Sequence, residues 1–511
     1  MPIGVASSPG RAGAVRLRRA RAKFTLRVRW WLTPLVAFLA VTLPHLGDGD
    51  WMRGDTGWYV AIAKQAWDTG SFWTLTGEPG EPYFNKPPLG FWLHGRFVHI
   101  MGANAIGARL PTVLIGACCV VMIAWLARVW STRNAGLWAG VGLALTYEYF
   151  RRVREMSLDM WQLLWMLAAL CLATRAVRAV GRPAAPAREP VGADERRGEW
   201  MLACGLMVGL ALLTKPLMGT VVLPVLAAWL AWDRDWRMLR WLGAGSVVAL
   251  GVGASWHVSM WMTHGESFTS QYFGRQIADR AVGDAVVLDD QRTSPGFYMG
   301  LMLATTWPWV LFALLGIVTL ARGAPLARDP RGARLALIWL VVWLMVLSVF
   351  PDRRPRYGVV LYPAVAWIGA LWLTRWPWAW LRPIWRAAAR LGAPVLACIG
   401  VAIAVVPLDV QRGPNPQWIA FDAWYRGAGE PELWQGDFDG ARGARLYLTY
   451  GRWPRAVAND SEAGRNAWAA GSLVIDHACD AGERWSASAR SGEIVFESGD
   501  LRVTRIGHGV N

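Results

Sequence analysis

The sequence predicts an all-α polytopic membrane protein with a small α/β region at its C-terminal end, and three observations carry that expectation. Of 511 residues, 54% are apolar and only 17% are charged, where a soluble chain carries about a quarter. Apolar runs recur as far as residue 408, at lengths near the roughly 17 to 25 residues that cross a bilayer. After Asp409 the hydropathy falls and short β-rich runs take over.

The elements follow in order. Residues 1–29 carry Arg11, Arg16, Arg18, Arg19, Arg21, Lys23, Arg27 and Arg29 and no acid, directly before an apolar stretch from Trp30 to about Leu46. That charge places the N-terminus in the cytoplasm, and the lack of a small-x-small site after the stretch favours an uncleaved first helix. Further spans are expected at about 105 to 130, 135 to 150, 157 to 179, 200 to 214, 217 to 232, 239 to 258, 298 to 321, 335 to 350, 357 to 374 and 391 to 408. The expected total is about 11 to 13 transmembrane helices, the shortest spans lying at the lower limit of length. Alternation then puts arginine-rich loops inside, and residues 47–104, 151–156, 259–297, 351–356 and the tail outside. Three regions result: a basic cytoplasmic stretch (1–29), a membrane domain (30–408) and an extracytoplasmic α/β domain (409–511). Residues 180–199 read as a Pro/Ala/charge linker. In the tail, ARLYLTY, GSLVIDHA and GEIVFESGDLRVTRI read as strand-like, the last with a Ser-Gly-Asp turn.

The net charge of +17 does not indicate a nucleic-acid partner. From Asp409 onward there are 14 acids and 11 bases, so the basic surplus belongs to the loops between apolar spans, as the positive-inside rule demands. Cys118, Cys119, Cys171, Cys204 and Cys398 lie within apolar segments and only Cys479 in the tail, a distribution that implies neither a disulfide framework nor a zinc site. Oligomeric state is not legible.

The first outer loop, 47–104, is too long and aromatic for a connector, and loops of that length are functional or disordered. Helical spacing from Trp58 to Trp67 and from Leu89 to Ile100 predicts two amphipathic helices lying along the membrane surface. Asp55 opens the first; it serves either as a helix cap or, with Asp159 near the start of a later helix on the same face, as a general base with a positioning partner. Lys86 in YFNKPPLGFWL either snorkels to headgroups or holds a phosphate as a compact positive charge. Arg151, Arg152, Arg154, Arg275, Arg353, Arg354 and Arg356 also fall in outer segments, against the positive-inside trend. An anionic ligand or pairing with Glu155 and Asp352 would explain them.

Asp55 with Tyr59 and the Ala-Ile-Ala helix, then TGSFWTL, PYFNKPPLGFWL, IGARLPTVLIG, MSLDMW around Asp159, TKP at Lys215, HGESF and RRPRYGVVLYP, resemble the bacterial aminoarabinose transferases and protein O-mannosyltransferases over most of residues 50 to 375. The resemblance implies a GT-C fold and transfer of a sugar from a polyprenyl-phosphate donor, usually with inversion, to a lipid A, glycan or protein acceptor. It implies Asp55 as principal catalytic carboxylate and Asp159 as a second active-site acid. Tyr59, Tyr83 and Lys86 become donor-side residues, Arg275 a phosphate contact, and His264 and Glu266 cavity residues; Arg353 and Arg356, from the outer arginine cluster, are expected to bind the donor phosphate as well. Two positions depart from the relatives: Thr56 stands where many carry an acid, and Asn85, also placed in the cavity, stands where the aminoarabinose branch often has Glu. Both changes remove potential metal ligands, so no metal site is assigned and divalent-metal dependence stays open, as do the sugar and acceptor. The alternative of another class is a polytopic lipid or sugar transporter or flippase; the absence of a clear internal repeat counts against it.

Overall fold

The structure is a computed structural model that describes residues 31–52, 55–77, 81–178, 193–215, 217–278, 294, 296–350, 353–375, 416–435, 440–454, 472–477, 493–498 and 501–505. Its first part is helical. Helix α1 (Trp31–Thr42) is followed by α2 (Asp55–Thr69) and α3 (Leu89–Met101) in the first loop, then α4 (Ala105–Trp130), α5 (Arg133–Ala144), the short α6 (Tyr147–Val153) and α7 (Leu158–Arg178). After these come α8 (Ala193–Leu212), α9 (Val222–Trp232), α10 (Trp236–Thr269), α11 (Phe297–Thr305), α12 (Trp309–Ala321), α13 (Pro330–Val349) and α14 (Tyr362–Arg375).

Local chemistry sets several boundaries. Asn104 Oδ1 accepts from the amides of Ile106 (3.0 Å) and Gly107 (2.9 Å), Thr132 Oγ1 from Ala135 (3.1 Å), and Asp235 from Met238 (3.2 Å). Each side chain satisfies amides that a helix start leaves without partners. Where α8 crosses α10, Gly205 lies against Gly245 so closely that a Cβ on Gly205 would sit 2.0 Å from the Gly245 carbonyl oxygen; only glycine admits this approach. Gly265, at φ 52°, breaks α10 near its end, and a wider helical turn, Ser270–Ala278, follows.

Helices occur at the first ten expected spans, and the eleventh, at 391–408, lies outside the described residues. Among the described residues five helices, or their extensions, are long and apolar enough to cross a membrane, and six if α11 and α12, bent by 118° to each other, count as one broken span. The stretch Trp31–Thr42 and the stretch Met218–Trp232 are apolar but shorter. Expected spans therefore exceed the full-length helices, because hydropathy windows run on through the turns at which short helices stop.

One end of the bundle gathers the loops. Arg154 donates to the carbonyls of Thr42 (2.9 Å), Pro44 (2.7 Å) and His45 (2.5 Å), and Arg109 to those of Leu46 (2.6 Å) and Asp48 (2.7 Å). The Leu89 amide donates to Leu213 O at 3.0 Å. These bonds tie the end of α1 to α4 and α6, and the start of α3 to the end of α8. Helices α2 and α3 lie over this end on their own apolar cluster of Val60, Ile62, Ala63, Ala66, Phe91 and Val98; both helices occur where the loop's periodicity predicts them.

The C-terminal part contains helix α15 (Pro416–Gly427), strand β1 (Leu433–Gln435), helix α16 (Gly440–Tyr450), and strands β2 (Leu473–His477), β3 (Glu493–Ser498) and β4 (Leu501–Arg505). The sheet order is β1-β2-β4-β3, with β1 parallel to β2 and the other pairs antiparallel. One expectation is corrected here: ARLYLTY, residues 444–450, is not a strand but most of α16. Its apolar residues face two ways, Ala444 and Tyr447 toward α2 and Leu446 toward Phe421, Tyr425 and the sheet. The run's Tyr and Thr favour a strand locally, and packing on α2 and on the sheet overrides that preference.

Candidate active site

Asp55 is the first residue of α2. Tyr59 follows one turn later, its ring edge-on to Phe91 at 5.5 Å, and Tyr83 meets Phe91 at 5.7 Å. Bonds from Gly77 N to Glu81 O (3.3 Å) and from Tyr83 N to Leu75 O (2.7 Å) bring residues 81–83 beside 75–77, which delivers Tyr83, Asn85 and Lys86 to the start of α3. Burial, with the Asp55 charge adding to it, pushes the Tyr59 phenol well above the usual tyrosine range. Tyr59 therefore stays a neutral hydroxyl.

Asp159 lies in the first turn of α7, where Ser157 Oγ rather than Asp159 accepts the Met160 amide, at 3.4 Å. Its carboxylate is paired with Lys215 Nζ, and Lys215 stands just beyond α8, its backbone carbonyl accepting from Gln162 Nε2 at 3.1 Å. Asp55 is paired with Arg356, which precedes α14. Tyr357 stands between the two pairs: Lys215 Nζ is 4.4 Å and the Arg356 guanidinium 5.5 Å from its ring centre.

Both ion pairs open on one cavity of about 660 Å³. Its wall contains eight basic side chains, Lys86, Arg109, Arg151, Arg152, Arg154, Lys215, Arg354 and Arg356, against four carboxylates, Asp50, Asp55, Glu155 and Asp159. Some of these charges are structural, since Arg109 and Arg154 bind carbonyls and Arg152 joins Glu148 and Glu155, each at 2.9 Å. The surplus still gives the cavity a positive field, which in a partly dehydrated cleft concentrates anions.

The structure thus brings together Asp55, Asp159, Lys86, Tyr59, Tyr83, Asn85 and Arg356. Four other sequence candidates are placed differently. Arg353 is buried outside the lining and donates to Ser348 O at 2.7 Å. His264 bonds Thr74 Oγ1 at 3.3 Å and packs edge-on to Phe84 at 5.0 Å, on the flank of the loop. Glu266 is exposed and Arg275 has a described backbone, but its side chain lies outside the described residues. Sequence reasoning named Lys215 only within a motif and gave it no role. Its signal is a lone lysine closing the apolar run at 200–214, which a membrane helix tolerates near its end when the charge has a partner. Glu155, expected as an arginine partner, is paired with Arg152, whereas Asp50 carried no signal separable from an ordinary loop acid. Among the described residues no three His, Cys, Asp or Glu side chains converge as a metal site needs.

With this geometry in place, comparison with known proteins defines the class. The fold is that of polytopic GT-C membrane proteins. It superposes on ArnT from Cupriavidus metallidurans bound to undecaprenyl phosphate with a TM-score of 0.65 at 18% identity, covering 95% of this chain and 98% of that one. It also superposes on the oligosaccharyltransferase AglB from Archaeoglobus fulgidus with a TM-score of 0.55 at 15% identity, covering 88% and 70%. A family model described as dolichyl-phosphate-mannose-protein mannosyltransferase matches residues 85–259. The chain is 24% identical to the undecaprenyl phosphate-alpha-4-amino-4-deoxy-L-arabinose arabinosyl transferase of Erwinia tasmaniensis over 315 residues, 60% of this chain and 53% of that one. It is 28% identical to the protein of the same name from Pseudomonas paraeruginosa over 342 residues, 65% and 57% of the two chains. The chain thus spans little more than half the length of these curated relatives. The resemblance is thus found in sequence and in fold: the chain has a GT-C membrane fold and is similar to the aminoarabinose transferases.

Proposed function

We propose that the protein is a membrane glycosyltransferase that moves a sugar from a polyprenyl-phosphate donor to a lipid A, glycan or protein acceptor at the outer face of a bacterial inner membrane. The observation that carries this reading is the Asp55–Arg356 pair on the wall of a cation-rich cavity at one end of the bundle. The relatives in Erwinia and Pseudomonas are named for an undecaprenyl-phosphate sugar, and the Cupriavidus structure holds undecaprenyl phosphate.

In this reading Lys86, nearly buried at 7% exposure, holds the donor phosphate together with arginines of the wall. Their charge stabilises the phosphate as it leaves, where fixed cations act most strongly. The acceptor oxygen attacks the anomeric carbon from the face opposite the phosphate, the carbon–oxygen bond to phosphate breaks, and the bonding pair leaves with the phosphate. The new linkage is inverted. An acceptor hydroxyl passes its proton to Asp55; an acceptor phosphate has none to give, and Asp55 then orients the reactants and stabilises positive charge on the sugar. Arg356 keeps the Asp55 carboxylate aimed, and the neutral Tyr59 offers a hydrogen-bond donor beside it.

The test is transfer from a radiolabelled polyprenyl-phosphate sugar in proteoliposomes, with mass spectrometry of lipid and glycan fractions from cells with and without the gene to identify the lost sugar mass. Transfer should fall about a hundred- to ten-thousand-fold in Asp55→Asn if Asp55 is a general base. Full activity in that variant, or release of label without a glycosylated product, would reject the reading.

A further inference from the structure

Helix α16 belongs to the C-terminal part of the chain, yet one of its faces is buried on α2, the helix that begins with Asp55. Ala444 and Tyr447 pack on Ala61 with Trp58 beside them. Two polar contacts reinforce this seam. Arg445 donates to both oxygens of Asp50, at 3.1 and 2.9 Å. The Asp50 side chain is only 3% exposed, and Asp50 lines the cavity just ahead of Asp55. Arg445 is itself braced, its guanidinium 4.8 Å from the ring centre of Trp418 on α15. At the other end of α2, the Tyr447 hydroxyl donates to Asp68 at 2.8 Å, and Lys64 pairs with the same carboxylate at 2.5 Å. Burial alone would raise Asp68, but the bonds from Lys64 and Tyr447 outweigh it and hold the carboxyl below its usual range.

The two contacts bracket the helix. Asp55 lies between Asp50 and Asp68 in the chain, so a rotation or slide of α2 that moves Asp55 must strain at least one of them. The seam reaches the cavity as well, since Trp453, stacked on Tyr447 at 5.1 Å, meets edge-on the cavity-lining Trp58 at 6.0 Å.

We propose that α16 positions the catalytic helix: Arg445 acting through Asp50, and Tyr447 acting through Asp68, set the orientation in which α2 presents Asp55 to the cavity. The catalytic half of this proposal rests on the glycosyl-transfer reading; the grip on α2 does not. A helix that only anchored the C-terminal part would influence stability and leave turnover in the folded protein alone.

The experiment uses the full chain in lipid nanodiscs, as wild type and as Arg445→Met, Arg445→Lys and Tyr447→Phe. Amide hydrogen exchange is followed in peptides from α2 and, as reference, α13, alongside transfer kinetics with a labelled polyprenyl-phosphate sugar. Arg445→Met should speed exchange across α2 about tenfold or more and leave α13 unchanged. It should lower kcat about tenfold or more with the donor KM within about twofold. Arg445→Lys should recover part of both effects, and Tyr447→Phe, which removes one oxygen and keeps the packing, should show smaller shifts in the same direction and covers the case in which Arg445→Met fails to fold. Unchanged exchange in α2 would overturn the grip, and faster exchange with unchanged kcat would overturn the positioning role. If the wild type transfers no sugar, it is the glycosyl-transfer reading that fails, and exchange alone decides whether α16 holds α2.

Discussion

Arg356 and Asp55, 301 positions apart in the chain, form an ion pair on the wall of the cavity. The pair joins the start of the last membrane helix among the described residues to the first helix of the loop at 47–104, and it fixes the carboxylate that the proposed reaction needs. Replacing Arg356 with Met should leave Asp55 without its guanidinium and lower turnover about a hundredfold or more, a loss of roughly 3 kcal/mol in transition-state stabilisation. Arg356→Lys should recover only part of the rate, because an ammonium lacks the planar fork that meets a carboxylate squarely. Initial rates with labelled donor are the measurement, and a Lys variant as fast as wild type would show that charge alone is what Arg356 supplies.

Lys86 should act on the donor rather than on the acceptor. In Lys86→Ala the apparent donor affinity is expected to fall about tenfold, near 1.4 kcal/mol, with acceptor KM unchanged. Equilibrium binding of a polyprenyl phosphate to the purified protein measures this directly, and wild-type affinity in the variant would remove Lys86 from the phosphate site.

The Lys215–Asp159 pair is largely sequestered, with side chains 13% and 15% exposed. Removing one partner of such a pair strands the other charge, at a cost on the order of 3 kcal/mol. Lys215→Met should therefore lower the melting temperature by several degrees, and Lys215→Met with Asp159→Asn should regain most of it. If the pair also serves the reaction, the double variant should remain slow. A double variant as unstable as the single one would locate the cost in packing rather than in charge.

His94 on α3 sets a pH limit on the loop. Its ring is fully buried, Nε2 donating to Ala108 O at 2.9 Å and Nδ1 accepting from Trp161 Nε1 at 3.4 Å. Both nitrogens are engaged as a neutral ring engages them. Burial holds the imidazole down to about 4, against the opposing bond to Ala108. The folded-state value lies below the unfolded one, near 6.5, so the unfolded chain binds the extra proton first. The stability from the neutral ring is complete above pH 6.5 and is lost as the pH falls from there toward 4. From pH 7.5 to pH 5 the loss should be about 2 kcal/mol. Thermal unfolding in detergent at the two values should show the drop, and in His94→Gln, whose amide can both donate and accept, the drop should shrink; equal pH dependence in the two proteins would place the titrating group elsewhere.

The helical part was legible because hydropathy is a local property: the apolar runs that form α4, α7, α10 and α13 announce themselves without reference to any partner. Asp55, Lys86 and Asp159 were legible as a set only through the family resemblance, since each alone reads equally well as a cap or a snorkelling cation. What failed was direction. In the run Arg353, Arg354, Arg356, the first turns inward to Ser348 while the other two face the cavity, a distinction set by the turn before α14 and invisible in a string of like charges. The same holds for residues 444–450, whose Tyr and Thr favour a strand locally while contacts with α2 and the sheet hold them as a helix.

The long reach of these contacts has a consequence for biosynthesis. Asp55 leaves the ribosome 301 residues ahead of Arg356, and Asp50 leaves it 395 residues ahead of Arg445. At about 5 to 20 residues per second, tens of seconds separate the appearance of the carboxylates from that of the cations that hold them. The nascent protein spends that interval with both carboxylates unaimed, so under the proposed reaction competence waits on the synthesis of Arg356 and Arg445 and not only on the loop that bears Asp55.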